Sequence, residues 1–258
     1  MDIVRKTASV IAEIRKRKPR IHCITNDAAQ SFTADTLLAV GAEPSLTLAR
    51  TEVPDFVGSA DALLINLGTL DDSRLGAIPV AVAFAVQNDK PWVLDPVFVH
   101  RSPGRRDYAA ALLAEKPSAV RCNQLEAAAL AGGGNGAEPG RLLADRFATL
   151  AAVTGETDVV YGEAGEVEIA NGHALMSQLT AIGCAGSALL AACLAVEEDV
   201  TAASVAALVA WAVAGEVAGG AAKGPGSFRP ALIDAIHNLK APMIKRRAKA
   251  HLREAAVQ

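Results

Sequence analysis

The chain has 258 residues, of which 51% are apolar and 21% charged, with a formal net charge of -3. That length allows one large core, and that composition belongs to a globular rather than a disordered chain. The near-neutral charge and an aromatic share of only 4% exclude the basic, base-stacking surface of a nucleic-acid binder.

Residues 1–18 carry charges throughout and lack a continuous apolar stretch, which predicts an amphipathic helix rather than a signal peptide. Short β-prone runs then alternate with longer helical patterns. Strands are expected at 20–24, 44–48, 62–67, 92–97, 119–121 and 150–154. Helices are expected at 31–40, closed by Gly41, and at 71–88, 106–114, 124–130 and 141–149. This alternation spells βαβ units: an α/β fold of three layers, α/β/α, with a mostly parallel central sheet and helices on both faces. A glycine-rich patch at 132–136 reads as a flexible connection. A hairpin-like pair follows at 158–161 and 166–170, and then helices in succession at 184–196, 202–222 and 230–239, the last with Pro230 at its first position. Lys240, Lys245, Arg246, Arg247, Lys249 and Arg253 make a basic C-terminal helix at about 241–256, read as a solvated terminal face. No repeat or linker divides the chain, so residues 1–258 are expected to form one domain. Cys23, Cys122, Cys184 and Cys193 have neither paired nor zinc-like spacing, the usage of a reducing compartment. With no signal peptide, and with apolar runs such as 185–196 too short to span a bilayer, a cytoplasmic protein with no membrane partner is expected.

In an open parallel sheet, ligands sit beyond the carboxyl ends of the strands. Polar residues follow those ends here: Thr25 and Asn26; Asn66 with Gly68; Asp95; Arg121, Asn123 and Glu126; and Thr154. Asn66 alone reads as a strand-end turn. Asp95 and Glu126 suit Mg²⁺ held directly or through water, or else cap a turn and a helix. The run TAIGCAGS at 180–187 is more specific. Small residues at the head of an apolar helix let first-turn N–H groups converge on an anion such as phosphate, with close packing as the alternative. It is neither a P-loop nor a dinucleotide fingerprint. Cys184 at that helix head is a nucleophile, a base or filler, with a thiolate that the helix dipole would favour.

The stretches IHCITND, SFTADTLLAVGAEP, LLINLGTL, VLDPV, KPSAVRCNQLE, VTGETDVV, ANGHALM, TAIGCAGSAL and AGEVAGGAAKGPGSF occur in that order. In this the sequence resembles hydroxyethylthiazole kinases, thiamin-salvage members of the ribokinase-like superfamily, from about residue 21 to 239. The resemblance implies transfer of the γ-phosphoryl group of ATP to the hydroxyl of 4-methyl-5-(2-hydroxyethyl)thiazole, with Mg²⁺, in a homotrimer whose active sites lie between subunits. It implies an anion hole at 180–184, including Ile182 and Gly183, with Cys184 where ribokinases carry an aspartate base. Arg121 and Thr154, with Asn123, match nucleotide-side positions; Asp95 and Glu126 match the Mg²⁺-associated acids. Asn26, Leu46, Gly68 and Ala181 fall on the thiazole side.

The chain departs from the family pattern at the site. Ala181 and Cys122 stand where glycines are usual, and Leu46 where a methionine is usual. Phe98, Val99, His100, Arg101 and Ser102 replace a glycine-rich stretch, and an aspartate, Asp35, stands near an expected asparagine. An alanine at 181 costs energy if the backbone there needs positive φ. Two other outcomes therefore stay open: a kinase of another small heteroaromatic alcohol, or a homologue that binds ligand without turnover.

Overall fold

A computed structural model describes residues 2–132, 138–162 and 165–253. Most of the glycine-rich patch expected to be a flexible connection lies outside the described residues.

The chain opens on α1 (Ile3–Arg17), capped by the Asp2 side chain, and enters β1 (Arg20–Ile24). There follow α2 (Gln30–Val40), β2 (Glu43–Ser45), α3 (Val53–Ser59), β3 (Ala62–Asn66), α4 (Asp72–Gln87), β4 (Trp92–Asp95) and α5 (Pro103–Ala114). Next come β5 (Ala119–Asn123), α6 (Gln124–Ala131), α7 (Pro139–Phe147), β6 (Leu150–Thr154), β7 (Asp158–Gly162) and β8 (Gly165–Ile169). The last third holds a short 3₁₀ turn (Ala174–Gln178), α8 (Ile182–Leu194), α9 (Val200–Ala221), α10 (Pro225–His237), α11 (Ala241–Arg247) and β9 (Ala250–Arg253).

Among the described residues, nine strands form one sheet in the order β2-β1-β3-β4-β5-β6-β7-β8-β9. The first six in that order are parallel, and β6 through β9 are antiparallel. Alternating side chains feed two cores. Ile21, Cys23, Leu64 and Val93 join α1, α2, α8, α9 and α10 on one face, while Leu63, Ile65, Trp92 and Leu94 join α3 to α7 on the other. The expected three-layer α/β/α arrangement is the observed one.

Three expectations are corrected. The basic tail is not one helix to residue 256: α11 stops at Arg247 and the chain turns into β9. The cause lies on β8, where Glu166 and Glu168 stand opposite Arg253 and His251 in antiparallel register, so the tail gains ladder hydrogen bonds and Arg253 meets two carboxylates. Pro230 lies inside α10, and Pro225 occupies the first turn. Gly226, whose carbonyl Pro230 leaves without a donor, is an exposed residue, so the interior proline is tolerated. Finally, α9 is long and apolar enough, by length and composition, to cross a membrane, but 78% of its most apolar window is buried inside the fold. It is a core helix packed between the sheet, α1, α8 and α10.

Candidate active site

The chain runs from β1 to β2 on one side and then returns to β3 on the other, so β1 and β3 flank the point where the strand order reverses. Such a switch point opens a crevice at the carboxyl ends. There Asn26 Nδ2 donates to Asn66 Oδ1 (2.9 Å) and to Cys184 Sγ (3.2 Å). Asn66 Nδ2 donates in turn to Asp95 Oδ2 (2.7 Å) on β4. The loop after β1 is held from below by Arg74, 1% exposed, which donates to Thr25 O (2.8 Å) and pairs with Asp27 and Asp71. Gly68 N–H also donates to Asn66 Oδ1 (3.0 Å). A Cβ at Gly68 would stand 2.6 to 2.7 Å from the Asn26 side chain, so glycine there lets Asn26 lie against the turn.

The head of α8 meets this row. Ala181, its N-cap, has φ 70° and ψ -4° and offers no side-chain cap. The N–H groups of Ile182, Gly183 and Cys184 have no intrahelical acceptor, because they belong to the first turn. The left-handed alanine costs about 1 kcal/mol relative to glycine. Arg121, 6% exposed, reaches under this turn and donates from Nη1 to Gly183 O (2.7 Å) and Ser187 Oγ (3.4 Å). Ser187 Oγ donates to Asp95 Oδ2 (2.8 Å). A Cβ at Gly186 would lie 2.8 Å from Arg121 Nη2, so that glycine makes room for the guanidinium.

Burial pushes the Asp95 carboxyl up to about 6, helped by the nearby charge of Glu126 and opposed by Arg121, Ser187 and Asn66. Burial also pushes the Cys184 thiol up to about 11, with the Asp95 charge adding to it and the Asn26 and Asn66 hydrogen bonds and Arg121 opposing. The thiolate that the helix dipole alone would favour is therefore disfavoured. Desolvation and a buried carboxylate outweigh a partial charge.

The sequence profile described as the hydroxyethylthiazole kinase family matches residues 11–242. The chain belongs to the hydroxyethylthiazole kinase family. It is 40% identical to a hydroxyethylthiazole kinase of Cronobacter sakazakii over 243 residues, covering 89% of this chain and 92% of that one. It is 37% identical over 234 residues to a probable hydroxyethylthiazole kinase of Agrobacterium fabrum, covering 91% and 90%. Among solved structures, hydroxyethylthiazole kinase from Pyrococcus horikoshii superposes with a TM-score of 0.93 at 33% identity, covering 97% of this chain and 100% of that one. Pyridoxal kinase of Staphylococcus aureus, at 17% identity and a TM-score of 0.60 over 77% of this chain and 88% of that one, shares the fold.

In this hydroxyethylthiazole kinase family member, hydrogen bonds join Asn26, Gly68, Asp95, Arg121, Gly183 and Cys184 into one group. Glu126 lies near enough to Asp95 to repel its charge. Both its oxygens are already engaged, by the N–H groups of Asn123 (3.0 Å) and Phe98 (2.9 Å). Asn123 is the reciprocal half of that capping box, and its side chain caps α6. Thr154 ends β6 beside Asn123 and donates to Cys122 O (3.3 Å). Leu46 is half-buried against the first core. Among the described residues, no hydrogen bond ties Asn123, Thr154 or Leu46 to that group. The sequence carries no sign of Arg74, holds Gly186 and Ser187 only as members of the 180–187 run without roles of their own, and leaves Asn66 as a turn. The signal for Ser187 was its spacing, one helical turn after Gly183 on the same face.

The replaced glycine-rich stretch forms a tight turn at the mouth of the crevice. Phe98 has φ 63° and is 48% exposed, with the Arg101 guanidinium 5.2 Å from its ring centre and His100 edge-on at 6.2 Å. Arg105 fastens the turn by donating to Val97 O and Gly68 O, both at 3.2 Å. A wide depression of about 840 Å³ lies at the opposite ends of β3 and β4, lined by Arg17, Asp61, Lys90 and Trp92 among others. Its Lys90 is engaged by Gly58 O and Ala60 O, and its Arg17 by Val196 O. The crevice at the carboxyl ends, with its convergent buried polar groups, is the better candidate site despite the size of that depression.

Proposed function

We propose that this chain transfers the γ-phosphoryl group of ATP to the hydroxyl of 4-methyl-5-(2-hydroxyethyl)thiazole, the activity named for its relatives. The observation that carries this reading is the meeting, at the head of α8, of first-turn N–H groups, which no side chain among the described residues caps, with Arg121 on one side and the Asn26–Cys184 pair on the other. Phosphoryl transfer needs alignment and charge stabilisation more than covalent help. The N–H groups of Ile182, Gly183 and Cys184 receive the charge on the transferred group, and Arg121, anchored through Nη1 beneath that turn, adds its positive charge there. Asn26 and Cys184 face the acceptor hydroxyl, with Leu46, Gly68 and Ala181 around the ring. Asn123 and Thr154 flank the nucleotide. Because its thiol stays protonated at neutral pH, Cys184 positions the alcohol rather than removing its proton before the bond forms. The proton leaves late, toward the newly bound phosphate.

The donor set fits Mg²⁺. Two adjacent buried acids repel each other, Asp95 Oδ1 remains available, and Mg²⁺ favours one or two carboxylates with retained waters and substrate phosphates. Asp95 would hold it directly and Glu126 through water. When bound, the ion neutralises phosphate charge.

The test is product identification: incubation with Mg²⁺, ATP and the thiazole alcohol should yield the thiazole phosphate by mass spectrometry and ³¹P NMR. Phe98 and Arg101 at the mouth support one other reading, a kinase of a pyrimidine or pyridine methanol. Turnover of such an alcohol with no thiazole phosphate would move the assignment there, and calorimetric binding without ADP release would leave a non-catalytic binder. The homotrimer with shared sites belongs to the same proposal, and a monomer by light scattering would remove it.

A further inference from the structure

One side chain of the group bonds into both halves of the crevice. Asn66 Oδ1 accepts from Asn26 Nδ2 (2.9 Å) and Gly68 N–H (3.0 Å), while its Nδ2 donates to Asp95 Oδ2 (2.7 Å). The orientation of this amide is dictated by its neighbours. Gly68 N–H can only donate and an ionised carboxylate can only accept, so oxygen must face the first and nitrogen the second. Beyond Asn26 lies Cys184 Sγ (3.2 Å). Beyond Asp95 lies Ser187 Oγ (2.8 Å), which accepts from Arg121. Asn66 is fully buried, at the end of β3, between β1 and β4.

A residue that served only as a strand-end turn would need the Gly68 N–H and nothing more. Here three bonds converge on an amide withdrawn from water, an arrangement that is favourable only when every partner is present. We infer that Asn66 is a positioning residue for the transfer, holding Asn26 and Cys184 on the acceptor side and Asp95 on the phosphate side in one fixed register. The inference rests on the transfer proposed above, in which a misplacement of about 1 Å between the two halves costs on the order of a hundredfold in rate.

The test compares Asn66→Ala with two one-sided variants, Asn26→Ala and Ser187→Ala. The measurements are kcat, the KM of the alcohol, and the calorimetric Kd of Mg²⁺ with a non-hydrolysable ATP analogue. Asn66→Ala is expected to raise both the alcohol KM and the analogue Kd by about tenfold, since each side loses a hydrogen bond, and to lower kcat by about a hundredfold. Of the two binding constants, Asn26→Ala should move the KM and not the Kd, and Ser187→Ala the Kd and not the KM. A drop in unfolding midpoint or active fraction with KM and Kd unchanged would mark a merely structural residue and overturn the inference. So would an effect of Asn66→Ala confined to one side. Asn66→Ser, which keeps a smaller polar group in the same place, carries the same double signature should the alanine variant not fold. If the wild-type chain does not phosphorylate the thiazole alcohol, the proposed substrate fails. The analogue Kd then reads the phosphate side and the KM of whichever pyridine or pyrimidine methanol is turned over reads the acceptor side: a rise of about tenfold in both upholds the role of Asn66, and an unchanged value of either, or turnover of no alcohol, overturns it.

Discussion

At the carboxyl ends of the parallel strands, Asn66, Asp95, Arg121 and Ser187 are 0%, 5%, 6% and 0% exposed. At the β8–β9 edge, the side chains of Arg253 and His251 are 47% and 63% exposed, yet Arg253 alone pairs with Glu138, Glu166 and Glu168. Both regions are dense in polar contacts, and they differ in what those contacts displace. The edge pairs stand in screened water, where an ion pair adds little stability; their service is to blunt an open sheet edge. The crevice group has lost its water and is retained although apolar residues of similar volume would often fold as well or better. Polar groups kept at such a cost point to chemistry, whereas polar groups at no cost point to solubility and pairing.

Removing a charge from each region should therefore give unequal results. The largest effect is expected for Arg121→Met, which removes the guanidinium donor to Gly183 O and Ser187 Oγ and the positive charge beside the Asp95 carboxylate. Stability should fall by about 3 kcal/mol and the rate of transfer by about a thousandfold, read by denaturant unfolding and ADP release. Folding raises the Asp95 carboxyl from its ordinary 3.8 to about 6, so the fold favours the protonated form. That contribution is complete below the unfolded value and is lost as pH rises through about 6. In metal-free protein, Asp95→Asn should accordingly gain thermal stability relative to wild type as pH is raised across this window. A pH-independent difference would place the strain elsewhere. The smallest effect is expected for Arg253→Ala: a slight, salt-sensitive drop in unfolding midpoint and an unchanged rate of ADP release.

The same contrast governs what could be read in the sequence. The parallel strands and the helices between them follow from local period and punctuation, and most were legible to within a few residues. The edge was less so, because β9 has no strand signal of its own and forms only against the acidic face of β8. The short α3 was likewise missed between two stronger strands. Within the crevice, Asp95, Arg121 and Cys184 announce themselves by residue type. The importance of a positive φ at position 181 was also foreseeable, and Ala181 does adopt it. Asn66 and Ser187 carried no such sign, since an amide and a hydroxyl are common at strand ends and in helices. Their partners come from strands and helices far apart in sequence, which only the folded sheet brings together.

The account turns on charge stabilisation at the head of α8, with Cys184 as a group that positions the alcohol. The most direct measurement is alcohol-dependent ADP release from Mg²⁺, ATP and hydroxyethylthiazole by the wild-type chain and by Cys184→Asp. The predicted result is measurable turnover by the wild type and a rate at least as high in the variant, because a carboxylate is a better proton acceptor than a thiol held up to about 11. A large loss of rate in Cys184→Asp, or ADP release that ignores the alcohol, would contradict it.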